Sequence, residues 1–153
     1  MRRPTTFFTA TVLTLGLTAA GFAGVAAAAD QLSQKEFLKQ GNTICKGANK
    51  EIDAVFKQVF AGLGKNEQPT PEAQQAALDG AVPIFRGALS EIDALKGPAS
   101  LEKKVAKLLD QYNAVIDGFE ADPQTAFGEG PDPFAKPDKV ARKIGLKQCG
   151  QGG

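Results

Sequence analysis

Ser33-Gln34-Lys35-Glu36-Phe37-Leu38-Lys39-Gln40-Gly41-Asn42-Thr43-Ile44-Cys45, running on through Lys46-Gly47-Ala48-Asn49-Lys50-Glu51-Ile52-Asp53-Ala54-Val55-Phe56, decides the fold. Its first four residues form a capping box, in which Ser33 accepts from the first-turn backbone and Glu36 reaches back to the Ser33 amide. Apolar residues then recur at Phe37, Ile44, Ala48, Ile52, Val55 and Val59, with Leu38, Cys45, Phe56 and Phe60 widening the stripe. That spacing predicts a core-facing helix over residues 33–63, ended by Gly62, Gly64 and Asn66. Gly41 and Gly47 each cost ~1 kcal/mol against Ala inside a helix, so a bend is expected near them.

The same grammar repeats downstream. Thr70-Pro71-Glu72 supplies a capping hydroxyl, a proline where a missing amide hydrogen costs nothing, and a first-turn acid. Ala77, Leu78, Ala81, Phe85, Ile92 and Leu95 carry that stripe to Lys96, with a kink or break expected near Gly80 because Pro83 interrupts it. Gly97-Pro98 stops the segment. A third helix is predicted over residues 100–121, with Ser100 as its cap and Leu101, Val105, Leu108, Leu109, Tyr112, Val115, Ile116 and Phe119 on one face. Residues 122–136 are rich in Gly and Pro and read as a tolerant surface loop. A short helix follows from Pro137 to Ile144, closed by Gly145 in the left-handed cap position with Leu146 folding back. Residues 150–153 are expected to fray. Strand signals are absent, so the expected fold is an all-α up-down bundle of three long helices and one short one. A nine-residue echo, Gly47 to Val55 against Gly87 to Leu95, is read as coincidence, since two copies are too few for a repeat array.

Ahead of the bundle, Arg2 and Arg3 precede an apolar stretch over residues 7–25 and the run Ala26-Ala27-Ala28-Ala29. Charge, apolar core and small-residue exit form the pattern of a cleaved secretory signal over residues 1–29, leaving Asp30 as the mature N-terminus and residues 30–153 as one helical domain. Thr14, Gly16, Thr18, Gly21 and Gly24 dilute the stretch below what a spanning helix prefers, and no cysteine offers a lipid attachment point. A secreted protein with no stable membrane span is expected. Removing Arg2 and Arg3 from 18 basic and 17 acidic side chains leaves a net charge of about −1, no footprint for nucleic acid or anionic lipid.

Two cysteines in an oxidising compartment are normally paired, which predicts a Cys45–Cys149 disulfide clamping the C-terminal tail to the first helix. A buried free thiol or an intermolecular bridge are the alternatives. A thiol-redox site lacks a C-x-x-C or an electropositive exposed thiolate.

Composition excludes most catalytic chemistry. The chain has no histidine, and its one methionine is Met1, which removes His- or Met-ligated haem, blue copper, His-built zinc and Ser-His or Cys-His nucleophiles. No phosphate-binding or dinucleotide glycine motif is present. Asp53, Asp93, Asp110 and Asp117 are the carboxylates that acid–base or oxygen-ligated metal chemistry would have to use, yet no E-x-x-H accompanies them. Phe37, Phe56, Phe60, Phe85, Tyr112 and Phe119 lie at helical spacing and read as core rather than as a cavity lining. The expectation is a non-catalytic domain without cofactor that binds a protein partner or small ligand in the cell envelope or outside the cell. A carboxylate-based enzyme or a structural, stress-protective envelope protein are the alternatives.

Ile44-Cys45-Lys46-Gly47-Ala48-Asn49 and Gly145-Leu146-Lys147-Gln148-Cys149-Gly150 resemble the I-C-x-x-A-N opening and G-L-x-x-C-G ending of small exported helical proteins from high-GC Gram-positive bacteria. The resemblance implies the Cys45–Cys149 pairing and no activity or substrate. Many members carry a lipid-anchor cysteine or a Tyr before the Gly-Leu; here the anchor is missing and Ile144 takes the Tyr position.

Overall fold

In a computed structural model, which describes residues 31–64, 67–128 and 130–151, Ser33 caps the first helix as its neighbours predict. Its Oγ accepts from the Glu36 amide at 3.3 Å, and the Glu36 carboxylate accepts from the Ser33 amide at 3.2 Å and from the Ser33 hydroxyl at 2.6 Å. Those bonds from Ser33 hold the Glu36 carboxyl below the usual carboxylate range. The helices are α1 (Gln34–Val59), α2 (Pro71–Ala94), α3 (Ala99–Ala121), a single turn α4 (Gln124–Phe127) and α5 (Ala135–Ile144), followed by a 3-10 turn at Cys149–Gln151. No strand occurs among the described residues. The signal segment expected over residues 1–29 lies outside them, as do Gly152 and Gly153.

Successive long helices run antiparallel. The Leu32 amide before α1 donates to the Lys96 carbonyl after α2, while Val55 near the end of α1 lies against Gly80 in the first half of α2. Between α2 and α3, Arg86 pairs with Asp117 at 2.7 Å and with Glu120. These pairs are exposed to solvent and contribute little, so packing rather than charge sets the arrangement. The core is built from Phe37, Leu78, Ile92, Leu108, Ile116 and Leu146, each at most 6% exposed, with Tyr112 and Phe119 beside them. Fully burying one such side chain contributes about 1.5–3 kcal/mol.

Four boundaries differ from the sequence expectation. α1 ends at Val59 rather than residue 63; Phe60 is its C-cap, its amide donating to the Phe56 carbonyl and its ring packed on Phe56 and Phe127. α2 runs unbroken through Pro83; both Pro83 and Asp79, whose carbonyl loses its helical donor, lie on the solvent side where water can replace the bond. Ser100 is not a cap but sits inside the first turn of α3, whose N-cap is Pro98 without a side-chain bond. Residues 122–136 are not a bare loop: they contain α4 and the start of α5, and two of their phenylalanines pack on the core.

The C-terminal segment returns to α1. Gly145 adopts φ +99° and closes α5 with the Leu146 amide donating to the Ala141 carbonyl at 2.9 Å, the expected left-handed ending. Leu146 is then fully buried against Gly41 of α1, where a Cβ would lie 2.6 Å from Leu146 Cδ2. Gly41 is therefore a point of contact in a helix that runs unbroken through it. Cys45 and Cys149 form a disulfide across a sequence separation of 104 residues, with Cα atoms 4.9 Å apart. Of the tail expected to fray, Gly150 is held instead, buried and with its carbonyl accepting from Arg142.

Two stability measurements follow. Replacing both cysteines by alanine lowers the urea-unfolding free energy by about 4 kcal/mol, as loop-closure entropy for a span near a hundred residues requires; an unchanged midpoint would show that the clamp contributes nothing. Gly47 is exposed and a Cβ there meets nothing, so Gly47→Ala raises stability by up to ~1 kcal/mol. Gly41→Ala gains the same helix propensity but drives Leu146 from its site, and comes out about 1–3 kcal/mol less stable than Gly47→Ala; equal effects would remove the contact argument.

Candidate ligand-binding cleft

The return of the tail to α1 leaves a cleft of about 670 Å³ bordered by α1, α2, α3, α4 and the residues just before α5. Its walls are aromatic. Phe56 of α1 and Phe127 of α4 stand 6.4 Å apart between ring centres, and Phe60 meets Phe127 edge-on at 5.9 Å. Facing the same cleft, Phe134 stacks on Phe85 of α2 at 5.5 Å and meets Phe119 of α3 edge-on at 5.5 Å. Phe56, Phe85, Phe127 and Phe134 are all only partly buried, so apolar surface remains open to the cavity. Volume and lining both lie within the range of small-molecule sites, which are mostly apolar with a few placed polar groups.

The polar groups stand at the rim. Lys46, Asn49, Lys50 and Asp53 come from successive turns of one face of α1, Asp132 from the segment before α5, and Gln148 and Gln151 from the tail. The tail side chains are held there by two asparagines of α1. Asn42 Nδ2 donates to the Leu38 and Gly145 carbonyls, while Asn42 Oδ1 accepts from the Gln148 amide at 2.8 Å. Asn49 Nδ2 donates to the Gln148 carbonyl at 2.9 Å. With both of its backbone groups bound, Gln148 keeps its side-chain amide at the cleft. Asp132 Oδ1 accepts from the Phe134 amide at 2.8 Å, which sets the turn that aims Phe134 inward.

Behind the rim lies a buried polar pair. The Tyr112 hydroxyl stands 2.8 Å from Asp138 Oδ1 and 2.8 Å from the Cys149 carbonyl. A phenol has one proton and both neighbours are acceptors, so the set is fully satisfied only when Asp138 is protonated and donates to the Tyr112 oxygen. Asp138 is 4% exposed, and desolvation pushes its carboxyl above the usual range, against the opposing pull of the Tyr112 hydrogen bond and of Arg142 at 3.8 Å. Burial and then the Asp138 carboxyl push the Tyr112 phenol up as well.

Of the residues singled out from the sequence, Cys45 and Cys149 are joined, and Phe56, Phe85 and Phe119 line the cleft rather than serving as core alone. Phe37 and Tyr112 are core. The four aspartates are not brought together. Asp53 lies exposed at the cleft rim, Asp117 is paired with Arg86, and Asp93 and Asp110 are exposed along a shallow groove between α2 and α3. Among the described residues no group of three or more cysteines and acids is placed to hold a metal ion. None of their helices is long and apolar enough to cross a membrane. Phe127, Phe134, Asn42 and Asp138 were not foreseen as site or clamp residues. The one signal for the first pair was the presence of two phenylalanines in a segment otherwise suited to solvent.

No protein-family profile matches the chain, and neither curated proteins nor solved structures include one similar to it beyond chance.

Because the folded-state pKa of Asp138 is raised, the folded protein holds this proton more tightly than the unfolded chain does. The stabilisation is full below the unfolded value near pH 4 and is lost as pH rises through the elevated folded value. Thermal unfolding of wild type and Asp138→Asn, compared across that interval, should therefore show wild type losing ground as pH increases. A difference that is flat, or that moves in favour of wild type, would refute the buried-proton assignment.

Proposed function

We propose that the protein is exported, loses residues 1–29, and acts in the envelope or outside the cell as a non-catalytic domain that binds a small, largely apolar ligand in the aromatic cleft. The observation that carries the reading is the phenylalanine lining left partly exposed on both walls of the cavity. Leaving several aromatic rings short of full burial forgoes hydrophobic stabilisation of roughly 25 cal/mol per Å², which a small domain can ill spare unless something else covers them. The disulfide supports an extracytoplasmic setting, since such bonds persist where the surroundings are oxidising. The likeness of its two cysteine motifs to exported proteins of high-GC Gram-positive bacteria points the same way. A carboxylate-based activity has less support, because Asp53 lies apart from Asp93, Asp110 and Asp117, and all four are exposed.

Titration of the oxidised protein with the neutral fluorophore N-phenyl-1-naphthylamine tests the cleft. Saturable one-to-one binding is expected, weakened about tenfold (about 1.4 kcal/mol) in Phe127→Ala and unaffected by Asp93→Asn on the far groove. Absence of saturable binding, or binding indifferent to Phe127, would defeat the reading.

A further inference from the structure

The rim of the cleft carries two charges of each sign, and that balance narrows the ligand. Lys46 and Lys50 lie one turn apart on α1, with Asp53 a further turn along and Asp132 on the facing segment. Among the described residues neither lysine and neither aspartate at this rim takes part in a salt bridge. A ligand with one net charge would therefore meet an opposing group as well as a matching one. A ligand with both signs would satisfy all four.

Amide chemistry narrows it further. The side-chain amides of Gln148 and Gln151 form no hydrogen bond within the described protein, and Asn49 uses only its NH₂ group, leaving its Oδ1 to accept. Carboxamides offer a donor and an acceptor together, which is the complement of a peptide group. Length agrees as well. Lys46 and Asp53 are seven residues apart on one helix face, about 10 Å along the axis, the span of about three residues of extended chain.

Resting on the cleft-binding reading above, we infer that the ligand is a short apolar peptide of two or three residues with both ends free. Its carboxylate pairs with Lys46 and Lys50, its ammonium with Asp53 and Asp132, its backbone with Asn49 and Gln148, and its side chains lie against the phenylalanine walls.

Displacement of N-phenyl-1-naphthylamine from the oxidised protein by Phe-Leu-Phe, by its N-acetylated form and by its C-terminal amide tests this. The free peptide should compete best, and each blocked end should weaken it two- to fivefold, the range for solvent-exposed ion pairs. In Lys50→Gln the penalty for amidation should shrink while that for acetylation stays, and in Asp53→Asn the reverse should hold. Both substitutions are at exposed positions that make no contact in the core, so folding is retained. Equal competition by all three peptides overturns the charge assignment, and failure of any peptide to compete overturns the peptide; both leave fluorophore binding, and so the cleft reading, intact. Dodecylphosphocholine below its micelle threshold competing tenfold better than the free peptide would replace the peptide with a zwitterionic lipid. Absence of fluorophore binding is the separate failure of the cleft itself.

Discussion

Helices α1, α2, α3 and α5 pack in sequence, each on the one before, and this series stays open until the chain beyond α5 comes back to α1. Closure uses three kinds of bond at neighbouring points of α1. Leu146 is buried against Gly41, Asn42 and Asn49 bind the Gly145 and Gln148 backbone, and Cys45 is joined to Cys149. Burial of a leucine is worth about 1.5–3 kcal/mol and each amide bond about 1 kcal/mol net. The covalent link adds ~4.7 kcal/mol in the chain-entropy account. The noncovalent contacts together rival the sulfur bond, so the bond strengthens a closure that side-chain packing already directs. Against a total stability of 5–15 kcal/mol for a domain, the closure is a major share.

The same closure places the polar rim. Gln148 and Gln151 reach the cleft only because the tail crosses α1 at this height, and Tyr112 reinforces the crossing by binding the Cys149 carbonyl. Asp138 is the weak partner in that arrangement. When ionised it competes with the Cys149 carbonyl for the single Tyr112 proton, and Arg142, which lies 3.8 Å away and is half exposed, compensates only in part. Tail position and buried protonation are thus linked through one phenol. The link runs from Asp138 to the backbone of the residue that also carries the disulfide.

What the sequence made legible was local. Ser33 and Glu36 announce their own hydrogen bonds within three residues, Thr70-Pro71 does the same for α2, and Gly145-Leu146 spells a helix ending; the structure has all three. The expected all-α bundle with its tail clamped through Cys45 and Cys149 is also the observed one. Ser100 misled because a serine near a helix start is a cap only if the backbone turns there, and Pro98 had already set that turn. Gly41 carries a contact that helix propensity could not show, since propensity says nothing about which neighbour needs the missing Cβ. Asn42, next to Gly41 on α1, bonds to residues more than a hundred positions away, and no short-range pattern encodes such a partner. Asn49 was visible as a letter of a motif, but its reason for being there, the Gln148 carbonyl, is tertiary.

Residues 122–136 show most clearly how composition and role diverge. Glycines and prolines mark the segment as solvent-exposed, and Pro131, Asp132 and Pro133 are exposed. Yet Phe127 and Phe134 anchor it at two points, one in each aromatic wall. Ordering a segment of this kind costs backbone entropy, which burial of the two phenylalanines offsets in part. The prolines lower that cost by restricting the unfolded chain, and the Asp132 cap and α4 satisfy part of the backbone. The result is a strap held at two apolar points, so any ligand that completes the burial of Phe127 and Phe134 adds directly to its hold. Ligand affinity and strap order are then two readings of the same apolar contact.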